Sequence, residues 1–402
     1  MRIMLVGDST AVISGFGSAL RNLATYLHQR GHTIAHLGWQ TMGQERIASF
    51  HDNVLGYKVL PNIGGQQFGE MAFKYWLPKW KPDLVITLAD FWMISYMFKM
   101  ETNTPILMWY PIDGFPLTDQ IVEMLKNIDY AVCMSEYGRD MVSKVGIHTK
   151  HIPHGVKSDV FTPKPEDVRA AMRRELGIPP GKIVVGRVDR NQTRKKIPRT
   201  IKAFVKLHKQ FPDTVLYLHM DKRDREGWDL PYIVKRFGLT EGKDVFFPTP
   251  DMLANFMYGI SEKRLAIIMS MIDIHLWLTG GEGFGLTGLE TMSSGAVNVA
   301  SNYTTPPELF QFGKANACGL PVKIDSFETG AAGVDRALAD TDDAYEKMKW
   351  LLENRDEMAQ LSRNGVARAK EHYDWRIVTE NFDNIIRDLN ITQIKYSMRD
   401  LQ

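Results

Sequence analysis

Residues 279–301 read TGGEGFGLTGLETMSSGAVNVAS, a run in which an apolar strand enters Gly-Gly-Glu-Gly-Phe-Gly, passes into a helix and emerges as a second apolar strand. Glycines let a backbone approach a ligand closely, and the free amides of a helix's first turn, at the positive end of its dipole, favour a phosphate. Glu282 and Glu290 stand eight residues apart in this run, at most about 12 Å if all of it were helical. That approaches the length of a diphosphate bridge. One carboxylate can accept sugar hydroxyls while the other grips a ribose diol. Surface helices also carry such pairs, so this reading depends on its surroundings.

Upstream, residues 184–204 (VVGRVDRNQTRKKIPRTIKAF) end a buried-looking strand in Arg190, Asn191, Arg194, Lys195 and Lys196 before a helix. Arg190 can fork onto phosphate oxygens and Lys195 can add a point charge, neutralising a leaving diphosphate without a metal ion. A solvated basic loop is the alternative. Near the N-terminus, residues 6–27 (VGDSTAVISGFGSALRNLATYL) lead from a first strand through a loop to Gly15, Phe16 and Gly17, with a helix predicted over 18–29. Leu20 occupies the place of a dinucleotide fingerprint's third glycine, and no GKS or GKT follows, which disfavours hydride transfer and excludes a P-loop.

Between these segments, short β-rich runs alternate with helical periods, so the chain reads as α/β. The runs at 2–6, 32–37, 84–88, 106–109 and 130–134 predict one parallel sheet whose carboxyl ends carry Asp8, Asp90, Asp113, Ser135 and His154, where ligands of such sheets sit. The pattern restarts with strands at 183–186, 215–219, 244–247, 274–277 and 296–300. Residues 152–165 gather Gly and Pro into a hinge. A length of 402 residues suits two cores rather than one.

Composition excludes broad alternatives. The net charge is +2 from 49 basic and 47 acidic residues, too balanced to compel nucleic-acid or membrane binding. Cys133 and Cys318 form neither a disulfide framework nor a zinc spacing, which suits a reducing, cytoplasmic compartment. No leader or transmembrane segment is expected. The acidic stretch 221–226 (DKRDRE) is interleaved with cations and reads as a solvated loop, so no metal site is predicted. His219 beside it reads as a strand residue.

Together these segments resemble the GT-B glycosyltransferases, specifically the retaining family called GT4 (glycosyl transferases group 1), over nearly the whole chain. The family's E-x7-E element matches Glu282 to Glu290 with GFGL after the first acid, and its basic pair matches Arg190 and Lys195, counted back from Ala203 and Phe204. Its N-terminal glycine loop falls at 15–17, SEYG at 135–138, IPHGV at 152–156, and the closing HYDW at 372–375.

The resemblance implies two Rossmann-like, doubly wound parallel-sheet domains facing a central cleft. These would be an acceptor domain over 1–160, a nucleotide-sugar domain over 161–375 and a helical segment, 376–402, crossing back to the first. It further implies that Glu282 with Gly283, Phe284, Gly285 and Leu286 holds the donor sugar and phosphate, that Glu290 holds the ribose, and that Arg190 and Lys195 stabilise the diphosphate. Gly17 would approach the donor, and Phe247 would lie near the nucleobase. The implied reaction is retaining and metal-independent, needs no cofactor, and draws on a UDP- or GDP-linked sugar.

Many members place a His where this chain has Ile112 and Asp113. Asp113 is therefore either a catalytic contact to acceptor or donor hydroxyls or a turn former before Gly114. The acceptor stays open between a glycan, a lipid-linked sugar, a protein and a modified DNA base. Trp39, Trp76, Trp80, Trp92 and Trp109 suit either stacking or a core. Lys74, Lys79 and Lys81 beside Trp76 and Trp80 suit either peripheral membrane contact or an ordinary amphipathic helix. A catalytically silent nucleotide-sugar-binding protein is the rival class.

Overall fold

The computed structural model describes residues 1–50, 53–253, 260–330 and 332–389. The first sheet contains β1 (Arg2–Gly7), β2 (Thr33–Gly38), β3 (Arg46–Phe50), β4 (Asn53–Pro61), β5 (Leu84–Leu88), β6 (Ile106–Tyr110), β7 (Tyr130–Cys133) and β8 (Lys150–His151). Their order is β3-β4-β2-β1-β5-β6-β7-β8, parallel except for β3 at the edge. β5 and β6 are buried at every position, because helices cover both faces of a parallel sheet. Those helices are α1 (Gly15–Gln29), α2 (Glu70–Trp80), α3 (Asp119–Lys126) and α4 (Glu136–Ser143).

The second sheet is wholly parallel: β9 (Ile183–Val188), β10 (Thr214–His219), β11 (Val245–Phe246), β12 (Ile274–Trp277), β13 (Val297–Ser301) and β14 (Gly319–Val322), in the order β11-β10-β9-β12-β13-β14. This is the doubly wound order whose strand sequence reverses between the first and fourth strands, here β9 and β12. A separate antiparallel hairpin joins β15 (Ile324–Thr329) to β16 (Asp335–Ala339). The helices are α5 (Glu166–Glu175), α6 (Ile197–Gln210), α7 (Leu230–Arg236), α8 (Glu262–Ser270), α9 (Leu286–Ser293), α10 (Pro306–Leu309), α11 (Thr341–Glu353), α12 (Arg355–His372) and α13 (Trp375–Asp388).

The predicted strands all appear, with bounds shifted by a residue or two. The β3–β4 ribbon, β8, β14 and the β15–β16 hairpin were not predicted. The first helix starts at Gly15, not at residue 18, because the Ser14 hydroxyl caps it by accepting from the Gly17 amide at 2.9 Å.

The chain passes between the sheets twice. On the return, α12 ends at His372 and α13 begins at Trp375, capped by Asp374. The two crossings lie side by side: the Val156 amide donates to Tyr373 O at 2.7 Å and the Trp375 amide to Val156 O at 3.2 Å. α13 then docks on α1, with Phe382 edge-on to Trp109 (4.9 Å) and Asp383 bound to His32 (2.8 Å) and Arg30 (3.1 Å). Leu20, Leu23, Val378 and Phe382 share one continuous apolar core with Ile268, Leu289 and Met292 of the second sheet's helices, so the two units close on a common core. Residues 390–402 of the predicted C-terminal segment lie outside the described residues.

Candidate active site

Both sheets point their reversal points at the same space. After β9 come Asp189 and the basic loop, after β12 comes the glycine loop, and from the first sheet Asp8 follows β1 and Asp90 follows β5.

At the centre, Lys195 Nζ lies 2.6 Å from Glu282 Oε1 and 2.7 Å from Asp189 Oδ1. Arg187, fully buried in β9, pairs with Asp189 at 3.1 Å, and the Trp277 indole donates to the same carboxylate at 3.2 Å. Arg194 reaches Glu282 Oε2 at 3.4 Å and Gly281 O at 3.3 Å. Thr279 Oγ1 donates to Glu282 Oε1 at 2.7 Å, and the Glu282 amide donates to Thr304 Oγ1 at 3.0 Å. Burial alone would raise the Asp189 pKa, but Lys195 and Arg187 outweigh it and hold the carboxylate below its usual range. For Arg194 burial again opposes the charge, and Glu282, Asp113 and Asp189 override it. Three cations against two carboxylates leave this cluster with one net positive charge.

The glycine loop shows why it needs glycine. A Cβ on Gly283 would stand 2.2 Å from Pro111 Cβ, across the cleft, and one on Gly285 would stand 2.1 Å from the Trp277 ring. Gly285 has φ 97° and caps α9 without a side chain, leaving that helix's first amides open. The α9 start lies against the α1 start: Leu286 is 3.5 Å from where a Gly15 Cβ would be. Two helix N-termini from two domains therefore meet beside the cationic cluster, an arrangement suited to a multiply charged anion.

The sequence-predicted residues divide into three groups. Lys195, Glu282 and the backbone of residues 283–286 come together as described. Gly17 sits in the first turn of α1, where a Cβ would stand 2.6 Å from Val12 O. The Phe284 side chain turns inward, 5% exposed and 5.1 Å from the His154 ring, so only its backbone can serve the cleft.

Arg190 and Glu290 lie apart from the central cluster. Arg190 points outward, its side chain 57% exposed and paired with Asp224 at 2.8 Å and Glu226 at 3.4 Å. The loop read as merely solvated supplies those carboxylates, whereas Arg194 is the arginine of this loop that reaches Glu282. Glu290 lies on α9 toward α1, lining a small cavity of about 10 Å³ with Ser18, Asn22, Lys157 and Glu262. Burial, reinforced by Glu262 and opposed by Arg21, raises its pKa to about 8. Only residues 286–290 of the Glu282–Glu290 spacing are helical.

The third group borders the cleft or stands away from it. Asp113 borders it, bound to Arg336 Nη1 through both its carboxylate (2.9 Å) and its carbonyl (2.6 Å). Phe247 follows β11, half-buried in the second domain's core with Lys222 over its ring at 5.5 Å. His219 is a strand residue, bonded to the Tyr217 hydroxyl at 2.7 Å. Trp109 and Trp39 are core, Trp92 is exposed, and Lys79 stacks on Tyr75 while Lys74 pairs with Glu70.

Sequence reasoning assigned no role to Asp189, Arg187, Arg194, Thr279, Thr304 or Arg336. An acid at the carboxyl end of β9 was a usable signal for Asp189. Arg336 carried none, since its hairpin was not predicted.

No family model matches the chain. A curated relative from Corynebacterium kroppenstedtii, described as D-inositol 3-phosphate glycosyltransferase, is 25% identical over 66% of this chain and 54% of its own length. The chain thus spans about half the length of that relative. Among solved structures, sucrose-phosphate synthase from Thermosynechococcus elongatus superimposes with a TM-score of 0.76 at 18% identity, covering 96% of this chain and 98% of the other. Anabaena Alr3699/HepE, solved in complex with UDP and glucose, gives 0.72 at 15% identity over 97% and 100%. The architecture is the GT-B fold. Within it, the chain resembles the GT4-like, group 1 glycosyltransferases.

Among the described residues, no helix is long and apolar enough to cross a membrane.

Proposed function

We propose that the chain is a retaining glycosyltransferase that moves a sugar from a UDP- or GDP-linked donor to an acceptor hydroxyl without a metal ion. In this reading residues 1–160 receive the acceptor, residues 161–375 hold the donor, and the segment from 376 braces the first domain. The observation that carries it is the buried Lys195–Glu282 pair, with Arg194, set beside the open N-terminus of α9.

The net positive charge of that cluster and the amides of α9 offset the charge that grows on a departing diphosphate. Glu282 accepts hydrogen bonds from sugar hydroxyls, and Glu290 takes the ribose diol on the condition that its small cavity beside α1 widens when donor binds. The bond from the anomeric carbon to the phosphate oxygen breaks as the acceptor oxygen bonds on the same face. The acceptor proton passes to the departing phosphate oxygen. The protein contributes positioning, charge and exclusion of water.

Thermal unfolding against a panel of nucleotide sugars, with and without chelator, tests this. A true donor at one hundred times its dissociation constant stabilises by about 2.7 kcal/mol. The shift should survive chelation and vanish in Glu290→Ala. No shift with any donor would overturn the reading, and loss on chelation would overturn its metal independence. The anomeric configuration of the product decides retention.

A further inference from the structure

Two consecutive residues of β16 stitch the domains together at the edge of the cleft, and the next ties the strand to the glycine loop of its own domain. The Asp335 amide donates to Phe115 O at 2.7 Å, Arg336 Nη1 binds the carbonyl and carboxylate of Asp113 at 2.6 and 2.9 Å, and the Ala337 amide donates to Gly280 O at 2.9 Å. Phe115 and Asp113 belong to the loop after β6 in the first domain, whereas Gly280 opens the glycine loop of the second. Packing is tight: a Cβ on Gly281 would stand 2.1 Å from Asp113 O and 3.2 Å from Arg336 Nη1, and one on Gly114 would stand 2.4 Å from Val334 Cγ1. Of the two stitches across the cleft, one uses backbone alone, so Arg336 is the side chain that distinguishes this contact.

We propose that Arg336 is a positioning residue that sets the closed spacing of the two domains by holding Asp113 against Gly281. This rests on the glycosyl-transfer reading for its catalytic consequence but not for its structural one. Arg336 need touch neither substrate. The two bonds across the cleft come from adjacent residues of one strand, so domain opening breaks them together and closing remakes them together, while the Ala337–Gly280 bond keeps the strand on the glycine loop. With the glycine loop pinned, water is kept from the sugar while its anomeric carbon is exposed. The same contact gives Asp113 a place: its carbonyl serves closure, and its carboxylate is held at the cleft edge.

Small-angle scattering of the substrate-free protein should give a larger radius of gyration for Arg336→Ala than for wild type, with Arg336→Lys closer to wild type. With a donor that stabilises the wild type, Arg336→Ala should raise the ratio of donor hydrolysis to transfer about 10-fold or more, since small misplacements cost large factors in rate. Its donor dissociation constant should stay within about 3-fold of wild type, because the cationic cluster and α9 are untouched. Asp325→Ala on the same hairpin, whose ion pair is with Arg199 at 3.6 Å, should match wild type in both readouts.

Superimposable scattering curves for wild type and Arg336→Ala would overturn the proposal, as would an unchanged hydrolysis ratio. If Arg336→Ala does not fold, Arg336→Gln, which keeps most of the length without the charge, carries the same comparison. A wild type that binds no donor would refute the glycosyl-transfer reading and still leave scattering to decide the closure.

Discussion

Lys195 bridges two carboxylates, Asp189 and Glu282, that would otherwise repel each other in a space from which water is largely excluded. Lys195→Ala should cost about 10² to 10³ in kcat by analogy with the loss of one preorganised donor. Leaving Asp189 and Glu282 short of a partner should also lower stability by about 3 kcal/mol. Arg190→Ala should change kcat far less, because its guanidinium is held outward by Asp224 and Glu226. Equal losses in the two variants, measured in one transfer assay, would show that Arg190 swings inward when donor binds. Spacing in sequence carries no direction, so it does not separate Arg190 from Arg194. Where a strand end turns decides which of two arginines four residues apart faces the cleft. Glu290 makes a different prediction. Its pKa is raised in the fold, so its stabilising contribution is complete below about 4.5 and is lost as pH rises through about 8. Urea unfolding from pH 6 to 9 should show wild type losing stability relative to Glu290→Gln across that window, and parallel curves would contradict it.

At the scale of elements, the loop between β12 and α9 depends on Trp277 as much as on its glycines. A Cβ on Gly285 meets that ring at 2.1 Å, and the backbone there has φ 97°. Left-handed strain and overpacking together should make Gly285→Ala destabilising by about 2 to 4 kcal/mol. Because Trp277 also bonds Asp189, the variant should weaken donor-induced stabilisation as well. An unchanged urea midpoint would show that the ring yields freely. The glycine-helix-strand pattern of this loop was legible in sequence because each part has a local cause: a backbone conformation, a helix dipole, an apolar run. The β15–β16 hairpin was not legible. Its strand β15 is exposed along most of its length, IDSFET, and lacks the alternation that a half-buried strand shows. Its role comes instead from what it reaches across the cleft.

At the scale of the molecule, the reversal of strand order explains why residues far apart in sequence face one another. Strand runs and turn residues made two parallel sheets readable. The partner of Asp113 was not readable, because its contact with Arg336 joins positions 223 apart and no local pattern encodes such a pairing. The side-by-side crossings at Val156 and at Tyr373 to Trp375 carry a mechanical consequence. One covalent connection would let a domain swivel about any axis, like a ball on a cord. Two strands of chain joined by hydrogen bonds act as a paired leaf, resisting twist and admitting chiefly one bending direction. Any relative motion of the halves is thereby confined to nearly a single degree of freedom, one that would bring the two helix N-termini back to the same register.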